Sequence, residues 1–128
     1  DRLDYWIKYI VYLRDSLKLS EWRVFLSDDL PENPKHNACI HCVFGRRSAT
    51  ISFGHHWEQN KPEEQRNTIV HELLHIYMLP VQAVMNRAQE VFGDQAALVS
   101  SYHLEQMEYV IDGIATAIAP FFPLPEAA

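Results

Sequence analysis

Apolar residues recur through the first part of the chain at the spacing of an α-helix. Between residues 3 and 19, charged side chains separate a set of apolar positions, namely Leu3, Trp6, Ile7, Ile10, Val11, Leu13 and Leu17. This spacing predicts an amphipathic first helix with one face in the core. The neighbouring Tyr5, Tyr9 and Tyr12 are predicted to lie in the core and at its rim, because aromatic residues at helical spacing more often pack than bind.

The pattern then changes to alternation, which is typical of β-strands. Residues 22–26 alternate, and residues 38–44 and 48–53 form two further strand-like runs. The short segment Gly45-Arg46-Arg47 between the last two runs predicts an antiparallel hairpin. We therefore expect a small, mostly antiparallel three-stranded sheet. The last strand is expected to be exposed, either as a plain structural edge or as a place where an extended peptide binds as an additional strand.

Helical spacing returns in the second half of the chain. Pro62, followed by two glutamates, is typical of a helix start, and Pro80 is predicted to end this helix. Residues 81–92 form a weaker helical segment. Gly93 is a stop signal for that segment, and Asp94 can cap the helix that follows.

A long last helix is predicted over residues 95–119. Its expected core positions are Leu104, Met107, Ile111, Ile114 and Ile118. The proline-rich segment 119–125 cannot continue the helix, and either packs back across the domain or trails away from it.

Length and composition limit the class of protein. A chain of 128 residues with 48% hydrophobic residues can bury one core, so we expect a single α+β domain over residues 1–128. The net charge of −6 argues against nucleic acid as the main partner. No apolar run reaches a membrane-spanning length, so no membrane partner is expected.

The chain contains two cysteines, Cys39 and Cys42. So few thiols fit a reducing compartment, and the segment Asp1-Arg2-Leu3-Asp4 does not resemble the start of a signal peptide, which together predict a cytoplasmic location. Side chains three positions apart on a strand point to opposite faces, so the two thiols are interpreted as small packing residues rather than as ligands of one ion.

The strongest chemical signal is the segment His71-Glu72-Leu73-Leu74-His75 in the predicted helix that begins near Pro62. Four residues advance a helix by slightly more than one turn, so His71 and His75 lie on one face and can bind one ion. Glu72 projects from nearly the same edge, where it can take a proton from a water molecule at that ion. A zinc hydrolase requires this arrangement of two ligands and an adjacent base.

The last helix carries acidic residues that can complete such a site. Glu108 can supply a third ligand, and Asp112, one turn later, can accept the free N–H of a ligand histidine. Glu105 and His103 lie close by, and either could replace Glu108 if the helix is rotated or begins differently. A site with no third ligand is a further alternative. The spacing between Glu108 and Asp112 favours Glu108 as the ligand.

The order of these elements and the two short motifs resemble a minimal zincin of the gluzincin type. They are similar to the compact phage and bacterial metallopeptidase-like domains related to ImmA and IrrE proteins, and more distantly to thermolysin. The resemblance implies that His71, His75 and Glu108 bind zinc, that Glu72 is the general base, and that Asp112 supports the ligands. No His-x-x-Gly-x-x-His extension follows the motif, so a metzincin is not expected.

The sequence therefore predicts a Zn²⁺-dependent peptidase that acts on a peptide or protein substrate. Glu72 would accept a proton from the attacking water and deliver it to the departing amine. Tyr102, His103 and Tyr109 are candidates for stabilising the oxyanion. The sequence does not predict the oligomeric state.

Two other functions remain open at this stage. The chain could be a zinc-binding but catalytically silent interaction module of a phage or bacterial complex, or a metal-free helical domain whose stability no chelator changes. Glu72 favours the enzyme, because a purely structural zinc site has no use for a base and usually has four protein ligands.

Overall fold

A computed structural model describes residues 2–125 and shows an α+β fold. Three α-helices, a three-stranded sheet and three short 3-10 turns follow one another along the chain. In chain order the main elements are α1 (Arg2–Ser16), β1 (Arg23–Leu26), β2 (Ala38–Val43), β3 (Ser48–Phe53), α2 (Pro62–Phe92) and α3 (Asp94–Ile118). The 3-10 turns are Phe44–Arg46, Trp57–Gln59 and Ala119–Phe121. The α+β class and the β2–β3 hairpin are confirmed.

The sheet is mixed, so the expectation of a mostly antiparallel sheet is wrong in this respect. The strand order is β1-β3-β2, with β2 antiparallel to β3 and β1 parallel to β3. The long connection between β1 and β2 carries β2 to the far edge, and β3 returns into the gap alongside β1. As a result β3, which was expected to be an exposed strand, is central. The edge strand beside the helices is β2.

Helix α2 continues through Pro80, so the prediction that this proline ends the helix is wrong. The helix runs to Phe92 as one element that includes the segment 81–92. A proline removes one backbone hydrogen bond from a helix, and the packing of α3 along α2 compensates for that loss. Gly93 ends the helix as predicted, with φ of +61° and its N–H donating to the carbonyl of Gln89 at 2.8 Å. Asp94 makes no side-chain cap, because Gly93 occupies the cap position of α3.

The core lies between the sheet, α1 and the first half of α2. Trp6, Ile10 and Leu13 of α1 are buried against Ile69 and Leu73 of α2 and the inward face of the sheet. The predicted faces of both helices are confirmed in these positions. By length and composition α2 is the one helix among residues 2–125 that could cross a membrane, a test that a core helix also passes.

The buried stripe of α3 differs from the prediction at two positions. Met107 and Ile111 are buried as expected, but Leu104 and Ile114 are each 43% exposed, and Ala115 takes a core position instead. Because Ala115 lies in the core in place of Ile114, α3 is rotated about its axis relative to the predicted orientation. This rotation turns the acidic side of α3 towards the histidines of α2.

The proline-rich segment after α3 packs back across the domain. The carbonyl of Phe122 accepts a hydrogen bond from Arg66 at 3.2 Å, and the carbonyl of Pro123 accepts one from the Tyr9 hydroxyl at 2.7 Å. Two helices thus hold this segment, which settles the choice between packing and trailing as far as residue 125.

Candidate metal centre

His71, His75 and Glu108 come together where α2 and α3 pack side by side. The two imidazoles lie one helical turn apart, with ring centroids 5.3 Å from each other. The Glu108 carboxylate spans them, with Oε2 at 3.0 Å from His71 Nε2 and Oε1 at 2.9 Å from His75 Nε2. The three candidate ligand atoms all lie within 4.8 Å of one another. The predicted proximity of the three residues is therefore confirmed.

This group fits a small divalent cation. Zinc bonds of about 2.0–2.2 Å in a tetrahedral site place donor atoms roughly 3.3–3.6 Å apart. The Glu108–histidine separations of 3.0 and 2.9 Å are slightly shorter than this, and the whole group lies within 4.8 Å. Two imidazoles and one carboxylate are a ligand set that suits zinc, and among residues 2–125 no fourth protein ligand joins the group. The fourth position of a bound ion is thus left to water or substrate.

Asp112 lies beside the Nδ1 atom of His71, whereas Glu108 contacts the Nε2 atom of the same ring. The Oδ1 atom of Asp112 is 3.6 Å from His71 Nδ1, which is beyond hydrogen-bond distance, and its side chain is 76% exposed. A small side-chain movement would close this gap. Asp112 thus lies next to His71 without bonding to it, and its role in fixing the orientation of that ring stays a prediction.

The alternative third ligands do not join this group. Glu105 is exposed and His103 is half-buried. Neither residue lines the cavity that lies beside His71 and His75. The buried Nε2 of His103 has no hydrogen-bond partner in the described part of the chain. The observed rotation of α3 therefore favours Glu108 over both alternatives.

Glu72 lines the same cavity and has an unusual ionisation. Burial is the main cause that raises the pKa of its carboxyl from 4.5 to about 8, and the negative charge of Glu108 adds to the effect. Burial also lowers the pKa of His75, against the opposing charge of Glu108. Glu72 thus titrates close to neutral pH, where proton acceptance and donation are both accessible.

The ionisation of Glu72 predicts how the stability of the chelator-treated protein depends on pH. The folded chain favours the neutral form of the Glu72 carboxyl. The contribution of this preference to the free energy of unfolding is therefore complete below about pH 4.5 and is lost as pH rises through about 8. We expect Glu72→Gln to raise the free energy of unfolding at pH 8 by about 2 kcal/mol or more, and to change it little near pH 4.5. Urea denaturation of both proteins with EDTA present measures this difference. Identical curves for the two proteins would contradict the assignment.

A cavity of about 700 Å³ opens over the metal-binding group. The edge strand β2 forms one wall with Ala38, Cys39 and Ile40, and α2 and α3 form the other. The loop before β2 and polar residues of both helices complete the lining. These are Lys35, His36, Asn37, Asn67, Thr68 and Thr116.

These polar lining residues were not predicted from the sequence. Asn67 and Thr68 each lie one turn before a residue of the motif, so helical spacing alone could have indicated them. His36 reaches the cavity from a loop, and no local sequence signal marks it. Conversely Tyr102, His103 and Tyr109, the expected oxyanion donors, do not line the cavity, and the two tyrosines are 63% and 79% exposed. That expectation is wrong.

The two cysteines are free thiols on β2 and do not join the metal-binding group. Burial raises the pKa of both, that of Cys42 to about 11, and the Glu72 carboxylate raises both further. These thiols therefore stay protonated at neutral pH. The interpretation as a packing residue fits Cys42, which packs against the core, whereas Cys39 lines the cavity.

Fold and site together define an α+β domain with a candidate metal centre of two imidazoles and one carboxylate. No family model matches the chain, and neither the curated proteins nor the solved structures include a match. The function proposed below rests on the geometry and chemistry of the site.

Proposed function

We propose that this protein is a zinc-dependent peptidase of the minimal gluzincin type. The observation that carries the proposal is the Glu72 carboxyl in a cavity beside the group formed by His71, His75 and Glu108. A structural zinc site would be closed by a fourth protein ligand, and none joins the group among the described residues. An open ligand position next to a base is typical of hydrolytic sites.

In this proposal His71, His75 and Glu108 hold the ion, and Asp112 orients His71. When bound, zinc would supply Lewis-acid polarisation of the scissile carbonyl and acidify the attacking water. Glu72 accepts the proton of that water and returns it to the leaving amine nitrogen. The ionised carboxylate is the form that accepts the proton, and a divalent cation held beside Glu72 would favour that form against the effect of burial.

The edge strand β2 is the proposed docking place for an extended peptide. Its outer edge is unpaired in the sheet, and its first residues line the cavity beside the metal-binding group. A peptide added alongside β2 would form backbone hydrogen bonds and pass over Glu72. This assigns to β2 the role that the sequence analysis considered for β3.

The proposal is tested by incubating the zinc-loaded protein with a degenerate peptide library and analysing the products by mass spectrometry. We expect new peptide termini that are absent when a chelator is added and that return when zinc is restored. A protein that binds about one zinc per chain and yields no new termini, from the library or from candidate protein substrates, would instead support the non-catalytic interaction module.

A further inference from the structure

The outer part of the α2–α3 hairpin projects beyond the core. On α2 the core residues end at Leu79, and α3 enters the core only from Met107. Residues 80–106 between them form two helical arms, each about 20 Å long. The buried residues of this projection are Ala96 and Ser100. Small residues thus occupy the seam between the arms, and large apolar side chains point to solvent.

On the α2 arm three exposed valines and the half-buried Ala88 form one stripe. They are Val81, Val84, Ala88 and Val91, with successive spacings of three, four and three. The three valines are 45%, 66% and 58% exposed. This is the spacing with which helices associate along a seam.

The α3 arm repeats the same spacing. Its stripe consists of Val99, Tyr102, Gln106 and Tyr109, of which the valine and the two tyrosines are 58%, 63% and 79% exposed. Neither stripe contains a charged residue. Two uncharged stripes of the same length therefore run along the projection.

Both stripes lie on the same side of the hairpin. On α3, the stripe residues Val99 and Gln106 directly precede Ser100 and Met107, which are buried in the seam. On α2, the stripe residues Val81 and Val84 directly precede the half-buried Gln82 and Met85. One residue corresponds to a rotation of about 100°, so each stripe is turned from its seam in the same sense. Because the helices are antiparallel, this rotation brings the two stripes together as one apolar face.

The opposite side of the hairpin carries the metal centre. The residues that directly follow the seam positions there are mostly polar, namely Asn86, Ser101 and Glu108, with Ala83 among them. A partner on the apolar face would therefore leave the cavity accessible. The two faces of the hairpin have separate chemistry.

The accessible surface of the whole chain indicates how much area a partner could cover. The chain exposes 8391 Å², whereas a compact monomer of its mass exposes about 7,000 Å². The difference of roughly 1,400 Å² is in the range that each subunit of an obligate homodimer buries. The surplus of the whole chain is thus large enough to include the interface of a stable dimer.

We propose that the apolar face of the hairpin binds the same face of a second copy, so that two hairpins form a four-helix bundle. An isologous contact needs a self-complementary surface, and an uncharged face on a chain of net charge −6 avoids repulsion between the copies. An anionic lipid surface would need a cluster of cations. The projection has Arg87 alone, which is paired with Glu90 at 3.0 Å. The metal cavities would lie on the outside of the dimer.

Sedimentation equilibrium of the full chain tests this inference independently of metal binding. We expect a mass of twice 14.9 kDa at micromolar concentrations. Val84→Glu and Tyr102→Glu place a charge in the bundle core, and each should raise the dimer dissociation constant by about 100-fold or more. The matched controls Asn86→Glu and Ser101→Glu add the same charge to the polar side of the same helices and should leave the dimer intact.

Circular dichroism of each variant distinguishes loss of the dimer from loss of the fold, and substitutions on two helices provide two separate tests. A monomeric wild type would overturn the proposal, and its co-sedimentation with phosphatidylcholine vesicles would assign the face to a membrane instead. A wild-type dimer that folded Val84→Glu and Tyr102→Glu both retain would also overturn it, since the interface would then lie elsewhere.

Discussion

Replacing Glu72 with glutamine should leave zinc binding intact and reduce peptide hydrolysis by about 10²–10⁴-fold, the usual contribution of a positioned general base. Glutamine keeps the shape of the side chain and cannot accept a proton. Glu72 is not a member of the three-ligand group, so zinc should remain at the wild-type stoichiometry. Single-turnover cleavage of a peptide found in the library, together with elemental analysis, measures both quantities.

Glu105→Gln is the matched control for this substitution. It removes the same charge from an exposed position on α3 outside the cavity, and should leave hydrolysis unchanged. Equal activity of Glu72→Gln and the wild type would contradict the role of Glu72. A parallel loss of zinc and activity in Glu72→Gln would instead show that this residue supports the site and is not its base.

Replacing Glu108 with alanine should have the largest effect on metal binding. It removes one of three ligands and leaves two imidazoles, so the zinc dissociation constant should rise well beyond the 10–100-fold that is usual for loss of an outer partner of a ligand. Asp112→Asn, which alters such a partner of His71, should stay within about 10–100-fold. Competition with a chromophoric chelator gives all three affinities.

Thermal unfolding provides a second readout of the same site. Zinc that binds only the folded chain should raise the Tm of the wild type and of Glu105→Ala, but not that of Glu108→Ala. If Glu105→Ala rather than Glu108→Ala lost zinc, the rotation of α3 would differ from the one described above. If neither lost it, the ion would have to bind through other residues.

Local patterns in the sequence determined most of the helices and strands, and they placed the two histidines of the site on one helix face. The spacing of His71 and His75 by four residues places both on one face of a helix whatever the rest of the fold does. The alternation in β2 and β3 with a short connection likewise determines their hairpin, and Gly93 ends α2 because it tolerates positive φ. Each of these features depends on residues close together in the chain.

Tertiary structure decided what depends on the placement of one element against another. The rotation of α3, which buries Ala115 and leaves Ile114 exposed, selected Glu108 over Glu105 and His103. Because β1 pairs with β3, β3 is central and β2 lies at an edge of the sheet. Helix α2 continues beyond Pro80 with α3 packed along it. These outcomes depend on contacts between distant segments, whose energies outweigh local preferences.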